Sequence, residues 1–209
     1  MMKSLLFKIS RRFNHVISIM RGYLYFQKTY VYIYNNVQIF YPETIIPKKN
    51  IYFMPYCRVQ SGPNQSITLG NNVTVSSFTT IETAGGNIII GDNVTIGEYS
   101  TLQGQGNIEI ERNVLMASHV HLISNSHIYT DINTPIKFQE NKSKKIHIKE
   151  NSWIGINVVI QSGVSIGRNS VVGSNSTVRS DIPDFCVAVG NPAKVIKRFD
   201  FALNIWIKC

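Results

Sequence analysis

Aliphatic residues recur every six positions through the second half of the chain, at Ile148, Ile154, Ile160, Ile166, Val172 and Val178. Small, polar or turn-forming residues mostly fill the intervals, as in Ser152-Trp153-Ile154-Gly155-Ile156-Asn157. A period of six fits neither the 3.6-residue turn of an α-helix nor the alternation of a flat strand. It predicts a triangular solenoid in which each hexad makes one short strand and one corner, so that about eighteen residues complete a coil. The aliphatic residue of each hexad points inward, and stacked coils bury a continuous column that no single hexad could bury alone.

The same period runs upstream with interruptions: Leu69, Val75 and Ile81 keep step, then Ile90, Ile96 and Leu102, then Ile110, Met116 and Leu122. Between these triplets the step lengthens to nine, eight and finally twenty-six residues. Each insertion follows the third hexad of a triplet, which assigns all of them to one corner of the prism. Extra residues leave a solenoid only as loops. The longest covers about 124–143 and opens with Ser124-Asn125-Ser126-His127, so it is read as functional.

Outside the repeats the pattern changes. Leu6, Ile9, Phe13, Val16 and Met20 recur at helical spacing and predict an amphipathic helix over 1–25. Residues 26–50 are aromatic and β-branched and read as strand or a ragged first coil. Phe53 and Val59 are taken to begin the solenoid, with Ser61-Gly62-Pro63-Asn64 as another corner loop. After Pro183 the period stops, and Ala193-Lys194-Val195-Ile196-Lys197-Arg198-Phe199 reads as a short helix. The expected organisation is a basic helix with lead-in strands over 1–50, a β-helix over 51–182, and a C-terminal segment over 183–209.

Composition narrows the class. The chain has 209 residues, 44% of them hydrophobic, enough for one domain with a sizeable core. No apolar run approaches the length of a spanning helix, and the opening apolar stretch is too short for a signal peptide. Cys57, Cys186 and Cys209 are odd in number and lack CxxC spacing, which favours free thiols and a cytoplasmic setting. Net charge is +9, and the first 42 residues carry Lys3, Lys8, Arg11, Arg12, Arg21 and Lys28 with no acid. That helix either packs on the first coils with a solvated basic face or meets anionic lipid or a lipid-linked glycan, peripherally at the inner membrane face. No nucleic-acid motif accompanies the charge.

Four segments together carry a resemblance: Trp153-Ile154-Gly155, Gly163-Val164-Ser165-Ile166-Gly167, Asp181-Ile182-Pro183 and Gly190-Asn191-Pro192-Ala193-Lys194. Over residues 65–199 the chain resembles the hexapeptide-repeat acyltransferases, and within them the O-acetyltransferase branch that includes maltose and galactoside acetyltransferases and polysaccharide-modifying enzymes. The resemblance implies an all-β fold built on a left-handed parallel β-helix, a homotrimer, acetyl-CoA as donor without a metal, and active sites between neighbouring prisms. The hand comes from the resemblance alone.

Acetyl transfer from a thioester to a hydroxyl needs a base, oxyanion donors and a grip on the CoA phosphates. Neutral imidazole suits the first task. In the resembling enzymes a histidine at the mouth of the long loop is the base, and His127 occupies that position without a gap. The resemblance places an oxyanion amide near Trp153-Ile154-Gly155, a pantetheine contact at Ser174, and phosphate contacts at Lys194 and Lys197, with Arg198 beside them. Trp153 is otherwise a corner filler, and the three cations otherwise a solvated basic face. Glu98, His121 and Asn125 are the expected acceptor contacts; His119 and His121 read equally as surface or packing residues. His147 is expected to point outward, and His15 has no assigned partner. The relatives carry Asn or Asp about thirty residues before the base, where this chain has Gly97.

Four functions remain open to the sequence. The first is O-acetylation of a sugar in a capsule, O-antigen or other surface glycan or its precursor. The second is acetylation of an antibiotic or amino sugar on the same scaffold. The third, a β-helix zinc carbonic anhydrase, needs three histidines, and His119, His121 and His127 lack the spacing. The fourth is a binding-only scaffold.

Overall fold

A computed structural model describes residues 2–209, with side chains from residue 13 onward. The body is a three-sided solenoid of about seven coils. The first face stacks parallel strands from Val31–Ile33 and Ile51–Phe53 up to Trp153–Ile154 and Val171–Val172. The second runs from Gln38–Phe40 and Arg58–Gln60 through His121–Ile123 and Val159–Gln161 to Thr177–Val178. The third runs from Ile45–Pro47 through Ile108–Ile110 and Ile146–Ile148 to Ser165–Ile166.

Stacking follows the repeat. Leu115, Trp153 and Val171 lie in register on the first face, as do His121, Val159 and Thr177 on the second. Every aliphatic residue of the six-residue column from Leu69 to Val178 is essentially fully buried. A second inward position lies two residues before each of them; on the first face it holds small side chains such as Val94, Val114, Ser152 and Ser170, and on the third mostly isoleucines such as Ile88 and Ile108. Shielded from solvent, these serines bond to carbonyls: Ser152 Oγ donates to Gly167 O at 2.8 Å and Ser170 Oγ to Pro183 O at 2.8 Å.

Each coil must turn three times, and the corners use left-handed backbone. At the corner between third and first faces this role falls to Asn72, Asn93, Asn113, Asn151 and Asn169, a residue type that tolerates positive φ. Their side chains bond in a ladder, Asn72 to Asn93 at 2.8 Å and Asn93 to Asn113 at 2.9 Å. At the corner between first and second faces the left-handed residues are Tyr56, Phe78, Tyr99 and His119. Bulky residues are strained there, and near-parallel ring stacking at 4.8–5.0 Å offsets part of the cost.

All the insertions leave between the second and third faces, as the spacing predicts, including the short one at Gly62-Pro63. The solenoid starts earlier than the expected boundary at 51: Val31–Ile33, Gln38–Phe40 and Ile45–Pro47 are a complete first coil in register with the next. The helix α1 (Met2–Phe26) caps that coil. It approaches through small residues, buried Ser18 and Gly22; a Cβ on Gly22 would fall 1.7 Å from Val31 O. His15 finds a partner in Tyr32, stacked at 5.2 Å. Phe13, Val16 and Met20 are instead turned to solvent, so this part of the apolar stripe is not the packing face; the side chains of Leu6 and Ile9 lie outside the described residues.

The C-terminal segment departs from expectation. Ala193–Asp200 is a strand, not a helix; it returns antiparallel along Cys186–Gly190 and is followed by Ile205–Lys208 on its outer edge. The last coil of a solenoid presents an open strand edge, and the returning strand satisfies it. The apolar spacing of 193–199 fits both periods, but Ala193 and Val195 take the inward side by alternation.

Candidate active site

The long insertion is a two-stranded arm. Asn125–His127 pairs antiparallel with Asn141–Ser143, with Ser126 opposite Lys142 and His127 opposite Asn141. Its root is clamped to the solenoid by buried polar contacts. Ser124 Oγ accepts from Gly106 N at 2.8 Å and donates to Gln103 O at 2.8 Å. The Ser124 carbonyl accepts from Lys144 N at 3.0 Å and from Ser162 Oγ at 2.9 Å. Both ends of the arm are therefore held by one pair of serines.

A cavity of about 570 Å³ opens between this arm and the second face, lined by Ile123, Asn125, Ser126, Tyr129, Lys142, Lys144, Val159, Gln161, Ser162 and Arg179. Asn125 is part of its lining, and its Oδ1 is buried without a hydrogen-bond partner. His127 follows directly on the arm with an exposed ring. Sequence reasoning missed Lys142, Lys144, Ser162 and Arg179. The one signal was the alternation in Asn141-Lys142-Ser143-Lys144 at the return of the insertion; Arg179 had none, since coil stacking alone brings it there.

The expected donor contacts gather elsewhere. Trp153 is half-exposed on the first face, and Gly155 and Ser174 occupy the corner between first and second faces. Most amides there are spent inside the solenoid: Gly155 N donates to Val172 O at 2.8 Å and Asn157 N to Ser118 O at 3.1 Å. The amides of Ile156 and Ser174 have no acceptor among the described residues. A Cβ at Gly155 would come within 2.7 Å of the Ser174 nitrogen and cover that free amide. Lys194, Lys197 and Arg198 lie on the returning strand, an extension of the first face. A helix would have gathered all three on one side. The strand carries a bulge that sets Lys194 and Lys197 opposite half-buried Val189 and Val187, while Arg198 opposes buried Cys186.

Thus the second face has two chemically different edges, a donor corner at Gly155 and Ser174 and the arm with Asn125 and His127. His121 stands between them, half-buried on the face. Burial, and to a lesser degree the neighbouring His119, push its pKa below the usual histidine value. Glu98 is exposed at the donor-side corner, where its carbonyl accepts from His119 N, and it does not line the cavity. At Gly97 an added Cβ would lie 2.3 Å from the Ala117 carbonyl carbon, so this backbone has no room for the Asn or Asp of the relatives.

His119, His121 and His127 do not converge within one chain. Among the described residues the group with metal-ligand spacing is Glu109, Glu111 and His147, on the third face. His147 points outward as expected and bonds Glu111 at 2.7 Å, while Lys145 pairs with Glu109. Both carboxylates are thus already matched by cationic or donor groups.

Comparison with known proteins agrees with this architecture. Residues 145–180 match the family described as bacterial transferase hexapeptide (six repeats). The chain is 31% identical over 169 residues to the putative lipopolysaccharide biosynthesis O-acetyl transferase WbbJ of Escherichia coli K12, covering 75% of this chain and 86% of that protein. Other curated relatives, named as probable or putative acetyltransferases, align over 30% to 44% of their own length. Among solved structures, the polySia-specific acetyltransferase NeuO superposes with a TM-score of 0.65 at 32% identity, over 78% of this chain and 68% of that one. AntD, an N-acyltransferase from Bacillus cereus solved with dTDP-4-amino-4,6-dideoxyglucose and coenzyme A, shares the fold with a TM-score of 0.62 at 23% identity, over 83% of each chain. The chain belongs to the bacterial hexapeptide-repeat transferases and is an acyltransferase of that family.

Proposed function

We propose that the protein moves an acetyl group from acetyl-CoA to a sugar hydroxyl of a surface glycan or its precursor, by direct transfer with His127 as general base. The observation that carries this reading is the arm: His127 is the next residue after cavity-lining Ser126, on a hairpin whose two ends are bonded to the solenoid through Ser124 and Ser162. The long similarity to an O-acetyl transfer protein of lipopolysaccharide biosynthesis supports the same class of acceptor.

In this mechanism the imidazole takes the hydroxyl proton as the oxygen attacks the thioester carbonyl carbon. The tetrahedral oxyanion then collapses, the C–S bond breaks, and the imidazolium returns its proton to the departing thiolate. Positioned proton transfer of this kind contributes about 10²–10⁴-fold. The free amides of Ile156 and Ser174 suit the oxyanion and the carbonyls of the pantetheine arm. Lys194 and Lys197, on the outer face of the terminal strands, suit the CoA phosphates. Trp153 and Gly155 shape that corner, and Arg198 stands near it.

Donor corner and arm lie on different edges of the second face, which favours a site completed by a second copy in a homotrimer. A cleft between two prisms brings the arm of one chain to the donor corner of the next. The reading also includes attachment to an anionic membrane face. Phe13, Val16, Met20 and Leu24 are exposed on α1, and the first 28 residues carry six cations and no acid. No described helix is long and apolar enough to cross a membrane.

The test is thiol release from acetyl-CoA with a panel of activated sugars and glycans bearing hydroxyl or amine acceptors. His127→Ala is expected to lose turnover while keeping its oligomeric state and CoA binding. Retention of more than about a tenth of wild-type turnover would be too much for a missing general base and would remove His127 from the mechanism.

A further inference from the structure

The cavity at the arm root has a charge pattern that the transfer chemistry does not require. Its cations come from separate parts of the chain: Lys142 and Lys144 from the returning limb of the arm, and Arg179 from the residue that follows the last strand of the second face. No acid lines the cavity. Among the described residues none of these three cations has a carboxylate partner, whereas Lys145, Lys149, Arg112 and Arg168 are all ion-paired. Sequence neighbours thus differ: Lys145 is spent on Glu109, and Lys144 is not.

A second observation comes from Asn125. Its Oδ1 is buried in the cavity wall and accepts nothing from the protein. A buried amide oxygen without a donor is costly; this one is closed to solvent, so it bonds a ligand only by turning toward the space. Tyr129 and Gln161 add an aromatic wall and a further polar group. The space lies within the usual range for small-molecule sites.

Three unpaired cations around one orphaned acceptor describe a ligand with negative charge and hydroxyl donors together. We propose that this cavity is the acceptor subsite and that it selects an acidic sugar, one bearing a carboxylate close to the hydroxyl that is acetylated. The inference rests on the O-acetyltransferase reading and adds the substrate class to it. A neutral sugar would leave the three cations unanswered. The donor's phosphates are the other source of anion, but Lys194 and Lys197 lie on the first face, away from this cavity. Arg179 offers a planar fork suited to carboxylate, and the lysines act as point charges.

The experiment uses the full chain and matched acceptor pairs: oligosaccharides ending in a hexuronate, and the same molecules with the carboxylate reduced to the alcohol. Thiol release gives KM and kcat for each acceptor and for acetyl-CoA, in wild type and in Lys142→Gln, Lys144→Gln and Arg179→Gln. Carboxyl reduction is expected to lower kcat/KM by about tenfold or more, the scale of one charge-assisted hydrogen bond. The charge variants should raise KM for the hexuronate acceptor by about tenfold while KM for acetyl-CoA stays within about twofold. Equal use of both members of every pair overturns the proposal. So does a rise in KM for acetyl-CoA alone, which would assign these cations to the donor phosphates. If no sugar releases thiol, the transfer reading itself has failed, and titration calorimetry with the hexuronate oligosaccharide decides the rest. Binding weakened by the charge variants then keeps the acidic-sugar site, and binding indifferent to them removes it.

Discussion

Ser124→Ala is the sharpest probe of how the fold holds the site. Ser124 is fully buried, and its hydroxyl makes two bonds at 2.8 Å, accepting from Gly106 N and donating to Gln103 O. Alanine keeps the backbone bonds of the root but leaves the Gly106 N–H buried with nothing to bond. An orphaned buried donor costs about 1–3 kcal/mol, and the lost bond to Gln103 O adds about 1 kcal/mol, so a total of about 2–4 kcal/mol is expected. At about 2–4 °C per kcal/mol for a chain of this size, the thermal midpoint should drop by about 4–16 °C. Because Asn125 and His127 follow directly on this root, kcat/KM for transfer should fall as well. Ser126→Ala is the control: its exposed hydroxyl makes a 3.4 Å contact with the neighbouring His127 carbonyl, and its removal should stay within about 0.5 kcal/mol. A Ser124→Ala midpoint equal to that of Ser126→Ala would refute the clamp.

Three further outcomes are expected. Gly97→Asn, which writes in the residue of the relatives, should destabilise by about 1–3 kcal/mol through overpacking against Ala117; a neutral or more active variant would mean the backbone yields there. His121 has a folded pKa below its ordinary 6.5, so the folded state binds fewer protons than the unfolded state as pH falls through that value. Stability should therefore decline from neutral pH downward through 6.5 and level off below the folded value. Urea midpoints across that window should flatten in His121→Gln, and an unchanged slope would assign the decline to other groups. Finally, replacing exposed Phe13, Met20 and Leu24 by serine should cut co-sedimentation with anionic vesicles while leaving thiol release intact; undiminished partition would end the membrane reading.

The six-residue period was legible because every coil buries the same position against the same neighbours, so one physical demand is written fifteen times from Leu69 to Val178. The common corner of the insertions was legible for the same reason, since phase along the chain is phase around the prism. The long insertion that carries Asn125 and His127 was legible too, as a break in that phase. The first coil was blurred because aromatic residues such as Tyr32 and Tyr52 stack outward there and mask the inward alternation.

Other features were settled only by the packed chain. An apolar stripe announces an amphipathic helix, but close approach at Ser18 and Gly22 decided that α1 docks by its small residues and leaves Phe13 and Met20 outside. Residues 193–199 suit either period, and the unpaired edge of the last coil made them a strand. Lys142 and Lys144 are far from Arg179 along the chain and meet it because a hairpin folds back and coils stack. Local pattern fixes which residues are buried; which charges share a cavity depends on where the chain returns.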